Sequence, residues 1–146
     1  MKKELVVGLN KYLADTGVLY IKWHNLHWNV VGTQFKAVHE FIEGLYDALA
    51  DVLDEAAEIL KMHDETPLAS MKDYLAVSTI EELPSVELAV SEVLAIVTKD
   101  MTDMKASAEA LRVMADDEDV YDVVGMLEDH LGNYTKNLLF LKAMAK

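Results

Sequence analysis

The sequence contains no cysteine, only two prolines and a single arginine, Arg112. Without cysteine there is no disulfide, no thiolate metal ligand and no cysteine nucleophile. No apolar run approaches the roughly 18 residues needed to cross a bilayer, so a transmembrane role is excluded. The start, MKKELVVGLNKYLADTG, carries two lysines, but its apolar stretch is broken within a few residues, unlike a secretory signal. The expected compartment is the cytoplasm. Positive charge is also scarce, with 13 lysines and arginines against 26 acids and a net charge of −13. Neutralising phosphates takes lysine and arginine, so non-specific DNA binding is not expected, and one arginine supplies little bidentate phosphate recognition. What is present is a chain of 146 residues, 52% hydrophobic, enough to bury a core. Residues 1–146 read as a single domain.

Pro67 and Pro84 bracket the segment TPLASMKDYLAVSTIEELP, the one long stretch without sustained helical periodicity. Before it, Leu5, Leu9, Tyr12, Leu13, Leu19, Trp23, Leu26 and Val30 form one apolar stripe at helical spacing. Gly32 interrupts it, and Thr33 is placed to cap a second helix carrying Phe35, Val38, Ile42, Leu45, Leu49, Val52, Leu53, Ile59 and Leu60. After Pro84, Ser85 is the expected cap of a third helix with Val86, Ala89, Val93, Ile96, Val97, Met104 and Leu111 inward. Asp116, Asp117, Glu118 and Asp119 suit the start of a fourth, where carboxylates complement the helix dipole. Val120, Val123, Val124, Leu127, Leu131, Leu138 and Leu141 continue it. No segment alternates with period two, so strands are not expected. The pattern predicts an all-α four-helix bundle whose long crossover joins helices two and three and holds a short helix, SMKDYLA.

Groups able to bind metal concentrate in one region. His39 and Glu43 are i and i+4 on the second helix, and Asp54 and Glu58 repeat that spacing. Eleven residues at 100° each return to within about 20° of the same face, so all four share one stripe. His27 and His24 lie just before the helix break. A lone carboxylate on such a helix is ordinarily solvated, but two pairs on one face make a histidine–carboxylate set suited to iron or manganese. Glu43 and Asp54 are about 16 Å apart along a straight helix, whereas metal–ligand bonds are about 2 Å. Either the chain holds two incomplete sites, or a second copy supplies the missing half. Antiparallel pairing about a two-fold near Ala48 and Leu49 would set His39 and Glu43 of one chain opposite Asp54 and Glu58 of the other. Gly44, Ala48, Ala50 and Ala56 are small enough for close approach.

The run HNLHWNVVGTQFKAVHEFIEGLYDALADVLDEAAEIL, from His24 to Leu60, resembles the signature of the Dps family, the mini-ferritins. It has a His-Trp pair, a histidine about a dozen residues later, and a downstream Asp-x-x-x-Glu. The crossover PLASMKDYLAVSTIEE resembles the family's short helix between helices two and three. The resemblance covers essentially the whole chain and is strongest over residues 20–82.

The resemblance implies a ferritin-like bundle, assembled as a dodecamer, with a dinuclear-type ferroxidase centre at a two-fold interface and no organic cofactor. His27 and His39 are then ligands from one subunit, Asp54 and Glu58 from its neighbour, with Glu58 bridging. Glu43 stands where many members have aspartate. His24 takes a supporting place behind the ligands. Trp28 has two readings: a radical-quenching aromatic beside the centre, or a core or interface aromatic. The implied reaction oxidises Fe(II), with hydrogen peroxide or O2 as oxidant, and stores ferric mineral in a hollow shell, limiting oxidative damage. Asp122 and Asp129, in the acidic stretch Asp116–Asp129, have two readings as well: acids lining pores that admit iron, or a solvated helix start. Many members also carry a tryptophan in the fourth helix, where this chain reads NYTKNLLF. DNA compaction, the competing activity, usually relies on a lysine-rich extension, and here only Lys2 and Lys3 precede the first expected helix. His63 and His130 lack a second ligand at helical spacing and are assigned no metal. The methionines, Met101, Met104 and Met114 among them, read as flexible core filler.

Overall fold

The computed structural model describes residues 1–146. In chain order its elements are α1 (Lys3–Asn29), β1 (Val30–Val31), α2 (Phe35–Met62), α3 (Met71–Val77), β2 (Leu88–Ala89), α4 (Val90–Asp117) and α5 (Tyr121–Met144). The four long helices make the expected bundle: α1 packs on α2 and α4 on α5, and contacts of α1 with α4 and α2 with α5 close it. All eight residues of the first apolar stripe are buried, as are Val38, Ile42, Leu45, Leu49, Val52, Ile59 and Leu60 on α2. Leu53 is half-buried against the core, while Phe35, at the solvent end of α2, is 39% exposed. Met101 and Met104 are buried in the core, and Met114 packs against it.

The short crossover helix is α3, begun by Ser70, whose hydroxyl accepts from the Asp73 N–H at 3.1 Å. Two features of α1 hold the crossover down. At Gly17 any β-carbon would sit 2.5 Å from the Tyr74 ring, so only glycine lets α3 lie this close. Asp15, 1% exposed, accepts from the Ser78 hydroxyl at 2.7 Å and the Thr79 N–H at 3.0 Å, and pairs with Lys11 at 2.6 Å. A buried carboxylate with three donors is satisfied, and it pins the chain leaving α3.

Three expectations about boundaries are corrected. Strands do occur: Val30–Val31 and Leu88–Ala89 pair in parallel, Val30 with Leu88 and Val31 with Ala89. The pairing satisfies extended backbone where the crossover passes the end of α1. The third long helix therefore begins at Val90 rather than after Ser85, leaving Val86 46% exposed. Its N-terminus is closed by Glu92, whose carboxylate accepts from the Ala89 N–H at 3.1 Å. Thr33 does not cap α2; Gln34 holds the cap position without a side-chain bond, after Gly32 turns the chain at φ +134°.

The acidic cluster does not start the last helix either. Asp116 and Asp117 finish α4, Glu118 caps its C-terminus, and Asp119 makes the turn at φ +58°. Apolar spacing runs on through the buried Leu111 and Ala115, which keeps α4 helical past the first aspartates despite their unfavourable place at the negative end of the dipole. The Glu118 carboxylate accepts from the Lys2 backbone N–H at 2.6 Å.

Candidate metal centre

His27 lies in the last turn of α1 and His39 in the early turns of α2. The corner through Gly32 folds these helices back on one another, bringing the two rings into a parallel stack with centroids 3.6 Å apart and planes 13° apart. Their Nδ1 atoms are tied reciprocally. Nδ1 of His27 donates to the His39 carbonyl and Nδ1 of His39 to the His27 carbonyl, each at 2.7 Å. A carbonyl only accepts, so each Nδ1 carries its hydrogen, and the neutral ring keeps a bare lone pair on Nε2. Fixing the remote nitrogen on a backbone carbonyl is how metal-binding histidines are held in one tautomer and orientation. His27 is buried, and its Nε2 lies 4.0 Å from the half-exposed Glu43 carboxylate.

The downstream pair is not part of this cluster. Asp54 and Glu58 are exposed on α2, about three turns of helix beyond Glu43. No group of three or more histidine and carboxylate side chains within the chain is arranged to hold an ion. One chain thus carries a two-histidine half with Glu43 at its edge, and a separate carboxylate half. The nitrogen–oxygen donor chemistry of the two halves together fits iron. Trp28 is 64% exposed, which removes its reading as a core aromatic.

Tyr46 belongs to this region and was not singled out from sequence. Its hydroxyl is 3.5 Å from Nε2 of His27, and its ring meets that imidazole edge-on at 5.2 Å. Desolvation, followed by the Glu43 and Asp47 carboxylates, pushes its phenol above the usual value. The signal was available: positions 39, 43 and 46 are spaced i, i+4, i+7 on one helix face. His24 stacks on Tyr46 at 3.7 Å, meets Tyr20 edge-on, lies 5.3 Å from Trp28, and donates from Nδ1 to the Tyr20 carbonyl at 2.5 Å. It thus stands behind Tyr46 rather than beside the two ligand candidates.

At the far end, Asp122 lies in the first turn of α5 and accepts from Nε2 of His63 at 2.9 Å. Asp129 is exposed two turns further along. His63 and His130 both have carboxylate partners, drawn from other helices and so invisible to helical spacing. His130, 5% exposed, bonds Glu55 on α2 at 3.2 Å through Nε2 and Tyr12 on α1 at 3.0 Å through Nδ1.

With this geometry in hand, comparison with known proteins is direct. A family model described as a ferritin-like domain matches residues 7–146. Antigen TpF1 of Treponema pallidum is 35% identical over 139 residues, 94% of this chain and 78% of the relative. DNA protection during starvation protein 2 of Bacillus anthracis is 39% identical over 140 residues, 93% of this chain and 90% of its own. The crystal structure of TpF1 superposes with a TM-score of 0.96 at 34% identity, over 98% of this chain and 92% of that one. A Dps protein from Bacillus brevis gives a TM-score of 0.92 at 30% identity over the full length of both. The chain belongs to the Dps family of ferritin-like proteins. No helix is long and apolar enough to cross a membrane.

Proposed function

We propose that this chain is an iron-oxidising and iron-storing subunit, one domain spanning residues 1–146, that works in the cytoplasm as part of a hollow dodecamer. The observation that carries the reading is the reciprocal tie of His27 and His39, which stacks the two rings and leaves both Nε2 lone pairs unclaimed by any strong donor. Each centre takes His27, His39 and Glu43 from one subunit and Asp54 and Glu58 from its two-fold partner. Glu58 bridges two irons. Carboxylates favour Fe(III) over Fe(II), so the donor set drives oxidation of its substrate. Two ferrous ions each give one electron to hydrogen peroxide or to O2; with peroxide the O–O bond breaks and, on uptake of two protons, two waters and two ferric ions result, whereas O2 with two protons is reduced to hydrogen peroxide. Pairing the electrons avoids release of hydroxyl radical. Trp28 stands beside the centre as a radical quencher at the subunit interface, and His24 supports the centre through Tyr46. Asp122 and Asp129 line pores that admit iron, and the charge of −13 per subunit favours cation entry and mineral nucleation.

Several relatives are named for DNA protection. For this chain the same acidity opposes compaction of DNA, because a shell of such subunits repels phosphate. Protection then comes from removing iron and peroxide. The deciding test is peroxide-driven Fe(II) oxidation followed optically, with the double variant His27→Ala, Glu58→Ala as control. A large loss is expected; equal rates would sink the assignment. Tight duplex binding by the intact oligomer in a low-salt gel shift would revive the DNA reading.

A further inference from the structure

A second polar array lies inside the bundle, away from the histidine pair. Tyr12 on α1 and Tyr134 on α5 are 1% and 4% exposed, with hydroxyls 2.5 Å apart. Tyr12 also lies 3.0 Å from Nδ1 of His130, and Nε2 of His130 lies 3.2 Å from the Glu55 carboxylate, which is 49% exposed. The donor directions follow from the groups. Burial lowers the pKa of His130, so the neutral ring with one N–H is the resting form. That hydrogen is on Nε2, because the carboxylate can only accept. Nδ1 is therefore bare and accepts from Tyr12, whose oxygen accepts from Tyr134. The result is one directed chain, Tyr134 to Tyr12 to His130 to Glu55, running from the core to the surface of α2.

A buried phenol donating to a neutral imidazole is arranged for coupled loss of an electron and a proton. We propose that Tyr12 is a one-electron donor of this protein, taking up oxidising equivalents of the hydroxyl-radical class, with His130 as its proton acceptor. Tyr12 loses one electron to the oxidant and its phenolic proton to Nδ1 of His130. The oxidant is reduced by one electron (hydroxyl radical to hydroxide), leaving a neutral phenoxyl radical and an imidazolium. Glu55 holds the imidazolium, and the Tyr134 hydroxyl stays bonded to the phenoxyl oxygen. Tyr134 and the buried Trp23 line one narrow crevice that the exposed Asn133 also lines, so the array comes near the surface on the α5 side as well. Burial keeps the radical from solvent and from other molecules. The inference is independent of the iron centre and concerns residues that centre does not use.

The test uses the intact, metal-free oligomer and a photo-oxidised ruthenium tris-bipyridine complex with a sacrificial electron acceptor. Samples are frozen after a delay and read by electron paramagnetic resonance. The expected result is a persistent tyrosyl signal coupled to a solvent-exchangeable hydrogen-bonded proton. Tyr12→Phe loses most of that signal, Tyr20→Phe retains it, and His130→Asn shortens its lifetime. Equal yield and lifetime in wild type and Tyr12→Phe would overturn the proposal. The wild-type exchange measurement needs no variant and decides the matter if Tyr12→Phe does not fold: a persistent signal without an exchangeable coupled proton also overturns it.

Discussion

His27 and His130 are equally buried, each 5% exposed, and each is flanked by a tyrosine and a glutamate, yet they are completed in opposite ways. His130 has both nitrogens engaged, one by a phenol and one by a carboxylate, so nothing is left with which to hold a metal. His27 spends Nδ1 on a backbone carbonyl, and its Nε2 meets only a hydroxyl at 3.5 Å and a carboxylate at 4.0 Å. The contrast separates a histidine that holds a structure together from one held by it. Residue type and burial do not distinguish them; the fate of the second nitrogen does.

The largest expected effect comes from breaking the open half. His27→Ala and Glu58→Ala, made separately, should each slow Fe(II) oxidation about 100-fold or more, since even outer partners of metal ligands are worth 10–100-fold. Co-assembling the two variants sharpens the comparison. Half of randomly formed two-fold pairs are mixed, and each mixed pair has one intact site of its two, so about a quarter of wild-type activity should return. No recovery on mixing would mean that the carboxylates and histidines are not shared between subunits.

Breaking the saturated half should affect stability rather than iron. His130→Ala removes a ring from the core and strands the Tyr12 hydroxyl, at an expected cost of about 2–4 kcal/mol, read as a lower Tm. Fe(II) oxidation per folded oligomer should stay within twofold of wild type, roughly 0.4 kcal/mol in barrier terms. A loss matching that of His27→Ala would show the two regions to be one functional unit. Within the array, Tyr12→Phe should cost more than Tyr134→Phe, about 2 against about 1 kcal/mol. Tyr12 serves two partners and its loss leaves both a phenol and an imidazole short, whereas Tyr134 only donates to Tyr12.

The same contrast explains what could be read from sequence. The stripes on α1 and α2 are local, repeated at helical spacing, and they fixed the bundle and the separation of Glu43 from Asp54. That separation left two alternatives, two incomplete sites or a half supplied by a second subunit. The tie between Nδ1 and the opposite carbonyl was not legible, because it depends on how the end of α1 and the start of α2 cross after Gly32. Glu55 and His130 are 75 residues apart, and His63 and Asp122 are 59, so no helical spacing could pair them. The starts of the last two long helices were displaced for a related reason. A two-residue strand pairing and a continuing apolar stripe, both set by packing, outweighed the capping residues and the dipole preference of the acidic cluster.

The smallest effect is a dependence on pH. Burial lowers the pKa of His130 in the folded chain, although Glu55 and Asp129 pull it upward. As pH falls through the unfolded value near 6.5, the unfolded chain takes up a proton that the folded chain resists, so folding stability declines. Well above about pH 6.5 both forms are neutral and the contribution is full and flat; below the folded pKa it levels off again. One group cannot exceed a slope of about 1.4 kcal/mol per pH unit, and the opposing carboxylates keep His130 under that limit. Comparing acid melting curves isolates this part. Tyr134→Phe, which keeps the imidazole, should run parallel to wild type at lower Tm, while His130→Asn should lose less stability on acidification. Equal acid slopes for His130→Asn and wild type would mean that the imidazole is as easily protonated folded as unfolded. The array would then lack the neutral acceptor that its chain of hydrogen bonds requires.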